Sequence, residues 1–242
     1  MSKVYVAPGH GGNDPGAVGN GFKEKDLTLL ISKYCRDYLV ASGVTVKMSR
    51  TTDIDPGLNN RANEANKWGA DLVVEIHINA GGGNGAEVYY SIVGGKSKTL
   101  AENIEKEIKK IGQNSRGIKT KKNAQGKDFL GIIRMTKAPA VLVECAFIDN
   151  KKDLAIIDTK KEQKVFGEAI AKGVLKTLGV ADGDQYKTLY RMNIRKSASL
   201  DSEIVGAVSQ GAVLTGEPVG EWLKTSKGYV RIKGEKIYLK KM

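Results

Sequence analysis

Apolar positions along the chain fall into two rhythms, short continuous runs and longer stretches at helical spacing. Residues 3–7 form a short apolar run that enters Pro8-Gly9-His10-Gly11-Gly12, which reads as a buried strand passing into a tight loop. From Glu24 onward, Leu27, Leu30, Ile31, Tyr34, Cys35, Tyr38 and Leu39 share one helical face, with Gly43 as the stop. Residues 44–48 predict a second strand, 58–68 a helix stopped at Gly69, and 71–79 a third strand. Leu100, Ala101, Ile104, Ile108 and Ile111 predict a helix over 97–111 that ends at Gly112. Residues 140–148 form a dense apolar strand interrupted by Glu144, and a stripe from Val165 to Leu178 predicts a last long helix closed by Gly179. Strands alternating with helices predict an α/β fold with a mixed, mostly parallel sheet flanked by helices.

Beyond that helix the texture changes. Residues 181–185 are polar, and from Tyr186 short apolar segments are punctuated by Gly206, Gly211, Gly216, Gly220, Gly228 and Gly234. No helical window survives there, which predicts a small all-β barrel. The expected division is a large domain over 1–180, a linker over 181–186 and a small β domain over 187–242.

Composition narrows the classes of function. A chain of 242 residues with 40% hydrophobic and 27% charged residues can bury a core in more than one domain. Its 39 Lys and Arg against 27 Asp and Glu give a net charge of +12, which favours polyanionic partners. There is no compact basic block, and aromatics make up only 6%, so nucleic acid is not the expected polyanion. No apolar run reaches the ~18–20 residues that span a bilayer, and the first residues lack an apolar leader. The expectation is synthesis in the cytoplasm without a signal peptide. Cys35 and Cys145 have no Cys-x-x-Cys partner and read as reduced, buried thiols.

The chain holds two histidines, His10 and His77, each at or just beyond the C-terminal end of an expected strand. Ligands of α/β sheets gather outside those ends, so two distant histidines can face one site. Two imidazoles and one carboxylate are the usual protein ligands of a catalytic zinc ion. Spacing leaves the carboxylate open. Glu24 begins the helix after the His10 loop, while Glu75 lies two residues before His77 and so projects from the same strand face. Glu144, a carboxylate within an apolar strand, reads as the general base.

These residues resemble the zinc-dependent N-acetylmuramoyl-L-alanine amidases of bacterial and phage cell-wall lysis. The likeness is carried by Ala7-Pro-Gly-His-Gly-Gly-Asn-Asp-Pro-Gly-Ala17 with Glu24-Lys-Asp-Leu27; by Ser49-Arg-Thr-Thr-Asp53, Arg61-Ala62 and Ala65-Asn66; by Ile76-His-Ile-Asn-Ala80; and by Pro139-Ala-Val-Leu-Val-Glu144-Cys-Ala-Phe-Ile-Asp-Asn150. It spans residues 3 to about 178. The resemblance implies that His10, Glu24 and His77 hold Zn2+ and that Glu144 works on its water, cutting the amide between muramic acid and L-alanine in peptidoglycan. Glu75 departs from the pattern, and its role stays open.

The tail is similar to bacterial SH3-like wall-binding modules through Asn193-Ile-Arg-Lys-Ser-Ala-Ser199, Gly220-Glu-Trp222-Leu-Lys and Gly228-Tyr229-Val. Trp222, Tyr229 and Tyr190 are its candidate aromatics. Anionic wall polymers suit the net positive charge. The combination looks like a phage endolysin made in the host cytoplasm and acting at the wall after release, with a bacterial autolysin of the same activity as the alternative. A cysteine peptidase using Cys145 is a rival chemistry. A dinucleotide site at Gly81-x-Gly83-x-x-Ala86 is another, though residues 87–93 read as a strand where that motif needs a helix. A non-catalytic wall or nucleic-acid binder acting by charge alone is the third.

Overall fold

In the computed structural model, which describes residues 2–180 and 183–242, the first strand is β1 (Lys3–Pro8), followed by a small hairpin of β2 (Val18–Gly19) and β3 (Phe22–Lys23). Helix α1 (Glu24–Ala41), β4 (Thr45–Met48), α2 (Leu58–Trp68), β5 (Leu72–Asn79), β6 (Ala86–Tyr90) and α3 (Lys96–Lys110) come next. The first part closes with β7 (Ser115–Lys119), α4 (Gly131–Met135), β8 (Ala140–Phe147), α5 (Lys151–Leu154) and α6 (Lys160–Leu178). Most long elements lie within a residue or two of the expected positions, but α6 begins at Lys160, well before the stripe that starts at Val165, because its first turn is polar, and β6 ends at Tyr90 rather than at residue 93. The β2–β3 hairpin, β7, α4 and α5 are too short or too polar to stand out in the sequence.

Six strands form one sheet in the order β4-β1-β5-β8-β6-β7, parallel throughout except that β6 runs antiparallel to β8. This is the mixed, mostly parallel sheet that the alternation of strands and helices predicts. On one side, α6 packs closely on its helical neighbours because two of its positions carry no Cβ. A Cβ on Gly167 would meet the α1 backbone at Ile31 and Cys35, and one on Gly173 would meet Ile104 of α3. On the other side, Tyr5, Val73 and Leu142 pack with Ala62 and Ala65 of α2 and with Ile132 and Ile133 of α4.

That second face changes character along the strands. Register pairs Tyr5 with Val73 and Val73 with Ala140, then Glu75 with Leu142, His77 with Glu144, and Glu144 with Glu87. Paired residues project to the same side, so the apolar layer under α2 and α4 gives way to a row of charged groups at the C-terminal ends of β5 and β8. Among the described residues no helix is long and apolar enough to cross a membrane.

The chain separates into two units between Thr177 and Leu178. The second holds β9 (Asp184–Thr188), β10 (Met192–Arg195), β11 (Ile204–Val208), β12 (Val213–Val219), β13 (Trp222–Thr225), β14 (Gly228–Arg231) and β15 (Leu239–Lys241). They form one sheet in the order β11-β10-β14-β13-β12-β9-β15, with every pairing antiparallel. Tyr186, Ile194, Leu223, Val230 and Leu239 form its core. Of the expected linker, Ala181 and Asp182 lie outside the described residues, while Asp184, Gln185 and Tyr186 already belong to β9, because Tyr186 is part of that core.

Candidate metal centre

His10 sits two residues beyond β1 in a loop held from several sides. Its φ of +58° is a left-handed conformation that non-glycine residues rarely adopt. The buried Arg50 clamps the preceding turn, donating from Nη2 to Gly9 O at 3.0 Å and to Lys25 O at 2.7 Å. Thr28 Oγ1 also donates to Gly9 O. Reciprocal backbone bonds between Gly11 and Asp14 close the loop and bring Asp14 Oδ2 to 2.7 Å from His10 Nδ1. A proton held there leaves Nε2 as the free lone pair, and Nε2 faces Glu24 Oε2 at 3.2 Å.

Glu24 is the first residue of α1, where a carboxylate also suits the positive end of the helix. Its two oxygens are fixed by backbone donors, Oε2 by Ala17 N at 2.8 Å and Oε1 by Ile78 N at 2.9 Å. His77 Nδ1 lies 2.9 Å from Oε1. Burial acts to raise the Glu24 pKa, but hydrogen bonds from His10 and His77 together outweigh it and hold the carboxyl well below its ordinary range. His10 is raised, chiefly by its hydrogen bond to Glu24. Burial acts to lower His77, yet Glu24 and Glu75 overcome it and push the imidazole up to about 10.

The two imidazole rings stand edge to face with centroids 4.9 Å apart, and one ligand atom each from His10, Glu24 and His77 lies within 4.8 Å of the other two. The cradle depends on glycine. A Cβ on Gly9 would stand 2.5 Å from His77 Cε1, and one on Gly16 would stand 2.5 Å from Glu24 Oε2 and 2.6 Å from His10 Cδ2. Two imidazole nitrogens and one carboxylate oxygen, brought together in this way, fit a zinc ion with an open coordination position.

Glu75, the rival carboxylate on spacing, lies on the other side of the His77 ring. Its Oε1 accepts from Arg61 Nη1 at 2.9 Å, and its Oε2 faces His77 Nε2 at 3.5 Å. It is therefore engaged behind the ring, whereas Glu24 lies between the two histidines.

Glu144 stands beside His77 in the β5–β8 register. Its Oε2 is buried and has no hydrogen-bond partner among the described residues. Burial pushes its carboxyl up to about 7. Cys145, the next residue, faces the opposite side of β8, is fully buried, and has a thiol raised far above its usual range by that burial. A nucleophile in that position meets neither histidine.

Of the other singled-out glycines, Gly81 and Gly82 donate their backbone N–H groups to Asp149 Oδ2, both at 2.8 Å, while Gly83 packs on the Phe147 ring. The following residues form strand β6 rather than the helix a dinucleotide motif requires. In the second unit, Trp222 is buried beside Arg191, Arg195, Arg231 and Tyr238 at a cavity of about 350 Å³. Tyr190 is exposed, stacked edge to face on Tyr238 and covered by Lys236, and Tyr229 is half-buried. Asp14, Gly16 and Arg50 lie within the stretches that carry the family resemblance, but the sequence assigns them no role. The signal for Asp14 was its place four residues after His10 in a loop already dense in glycine.

Residues 4–176 match the N-acetylmuramoyl-L-alanine amidase family. The sporulation-specific N-acetylmuramoyl-L-alanine amidase of Bacillus subtilis is 40% identical over 177 residues, covering 72% of this chain and 65% of the relative, a little under two thirds of its length. The amidase CwlM of Bacillus licheniformis is 37% identical over 220 residues, covering 87% of this chain and 83% of the relative. The endolysin of Bacillus phage SPP1 is 40% identical over 190 residues, covering 74% and 68%. Among solved structures, Cwp6 from Clostridium difficile superimposes with a TM-score of 0.72 at 40% identity, covering 73% of this chain and 29% of that one.

Proposed function

The chain belongs to the N-acetylmuramoyl-L-alanine amidase family, hydrolases of a peptidoglycan amide bond, and on that premise we propose that it is a zinc amidase cutting between N-acetylmuramic acid and the first L-alanine of the stem peptide. The observation that carries this reading is the convergence of His10, Glu24 and His77 within 4.8 Å, with the partnerless Oε2 of Glu144 alongside. The catalytic domain is residues 1–180. His10 Nε2, a Glu24 oxygen and His77 Nδ1 would hold the zinc ion, with Asp14 and Glu75 fixing the outward nitrogens of the two rings.

A bound zinc ion supplies polarisation of the scissile carbonyl and makes water acidic enough to attack it at neutral pH. Glu144 takes the proton from the attacking water at Oε2 and delivers it to the nitrogen of the departing L-alanine. Burial raises the carboxyl above its ordinary range, which suits a group that must both accept and release a proton. No covalent intermediate with the protein is needed.

The second unit, from β9 (Asp184–Thr188) onward, acts as an SH3-like wall-binding module that concentrates the enzyme on an insoluble substrate. The all-antiparallel sheet and the arginine-rich cavity beside Trp222 support this role, and the net charge of +12 suits anionic wall polymers. Similarity to a phage endolysin supports lysis from within a host cell, and similarity to bacterial amidases supports the same activity in an autolysin. Mass spectrometry of digested peptidoglycan tests the activity. New L-alanine amino termini without new reducing sugars are expected, and new reducing ends or cuts within the stem overturn the reading.

A further inference from the structure

The sheet carries charge past the candidate centre. Across four neighbouring strands, His77 pairs with Glu144, Glu144 with Glu87, and Tyr89 of the same strand with Lys119 of β7. Glu87 is buried, yet it is the meeting point of two cations. Its Oε1 accepts from Arg116 Nε at 2.5 Å and from Lys119 Nζ at 2.6 Å. Its Oε2 accepts from Tyr89 O–H at 2.8 Å, with Asn79 Nδ2 at 3.4 Å. Arg116 also lies over the Phe147 ring, 5.3 Å from its centroid.

Glu87 is thus satisfied, and the cations are not. One carboxylate faces two positive groups, so the cluster carries a net charge of one. Among the described residues the guanidinium spends its Nε–H on Glu87, and the ammonium spends one of its three protons there. Both side chains are partly exposed, 42% for Arg116 and 33% for Lys119. The spare donors have room to meet an anion from solvent.

Position identifies the anion. If Glu144 protonates the departing L-alanine nitrogen, the stem peptide continues from Glu144 on the side away from His10 and Glu24, towards β6 and β7. The cationic heads sit one strand spacing plus one hydrogen bond from the Glu144 column, roughly 7–8 Å. Two extended residues reach about 7 Å. We propose that Arg116 and Lys119 form a subsite for the carboxylate of the second stem residue, selecting stems in which that carboxylate is free over stems in which it is amidated. This rests on the amidase reading, and Glu87 is the residue that positions both cations.

The test uses two soluble disaccharide pentapeptides that differ only in a carboxylate or a carboxamide at the second residue, with the zinc-loaded full chain. The free acid is expected to be cut with about tenfold higher kcat/KM, and the E144Q protein is expected to bind it about tenfold more tightly by calorimetry. K119E is expected to reverse the order of the two substrates, and R116M to bring their ratio towards one. Equal kcat/KM and equal binding for the two in the unaltered protein overturn the subsite while leaving the amidase reading intact. Failure to cut either at the muramoyl amide overturns the amidase reading itself.

Discussion

His77 Nε2 lies 3.5 Å from Glu75 Oε2, on the side of the ring opposite Glu24, and Glu75 is itself held by Arg61 at 2.9 Å. The ring is thus gripped between two carboxylates, one facing the ligand cluster and one behind it. A carboxylate behind a metal-bound imidazole fixes its tautomer and strengthens it as a ligand. Glu75→Gln is expected to weaken zinc binding about 10-fold or more, measured by competition with a chromogenic chelator. It also leaves Arg61 with Asp55 as its remaining acidic partner, so a lower urea midpoint accompanies the loss.

The proposed mechanism gives Glu144 a part in the chemistry and none in the ligand cluster of His10, Glu24 and His77. Glu144→Gln is expected to lower amide hydrolysis by about 10²–10⁴-fold while leaving zinc stoichiometry at one per chain. Turbidity loss of purified walls measures the first and atomic absorption the second. A variant that loses zinc together with activity places Glu144 among the ligands.

Metal binding and protons compete for His77. With its pKa at about 10 in the metal-free protein, the imidazole is charged at neutral pH and must release a proton to bind zinc. Zinc affinity is therefore expected to rise from pH 6 to pH 9, and calorimetry in buffers of different ionisation enthalpy is expected to show proton release at pH 7. The same shift has the opposite sign for the metal-free fold. Its contribution is fully present below the ordinary histidine value of 6.5 and is lost as pH rises through about 10. Urea midpoints with a chelator present across that window measure it.

Gly16 has a φ of +64° and no room for a side chain between Glu24 and His10. Gly16→Ala is expected to abolish stoichiometric zinc binding and hydrolysis together, since the added carbon displaces two of the three ligands. Gly21 is the control. It too has a positive φ, but open space surrounds its Cβ position, so Gly21→Ala is expected to lose some stability and keep its zinc.

Much of the site could be read before its geometry was known, because strand ends and helix starts are local events. The apolar run before His10, the β-branched strand before His77 and the helical stripe from Glu24 each announce themselves within a few residues. The choice between Glu24 and Glu75 could not be read that way. Spacing put Glu75 on the face of His77, whereas the approach of Glu24 depends on the α1 N-terminus reaching Ile78 across 54 positions of sequence. Strand β7, Ser-Arg-Gly-Ile-Lys, was invisible for a different reason. It is an edge strand with one hydrophobic residue and a glycine at φ +83°, so it lacks the alternation that marks a half-buried strand. With it went the cations beside Glu87. In the tail, glycine punctuation exposed the β texture, but Tyr186 is a core residue preceded by polar positions, so the first strand starts within the segment read as linker.

The most direct measurement is anomalous diffraction at the zinc edge from crystals of the zinc-loaded protein at neutral pH. One peak per chain is expected, bounded by His10 Nε2, Glu24 and His77 Nδ1, with Glu144 alongside but not a ligand. Full zinc loading with no density among those three side chains, or a peak held by other residues, contradicts the account.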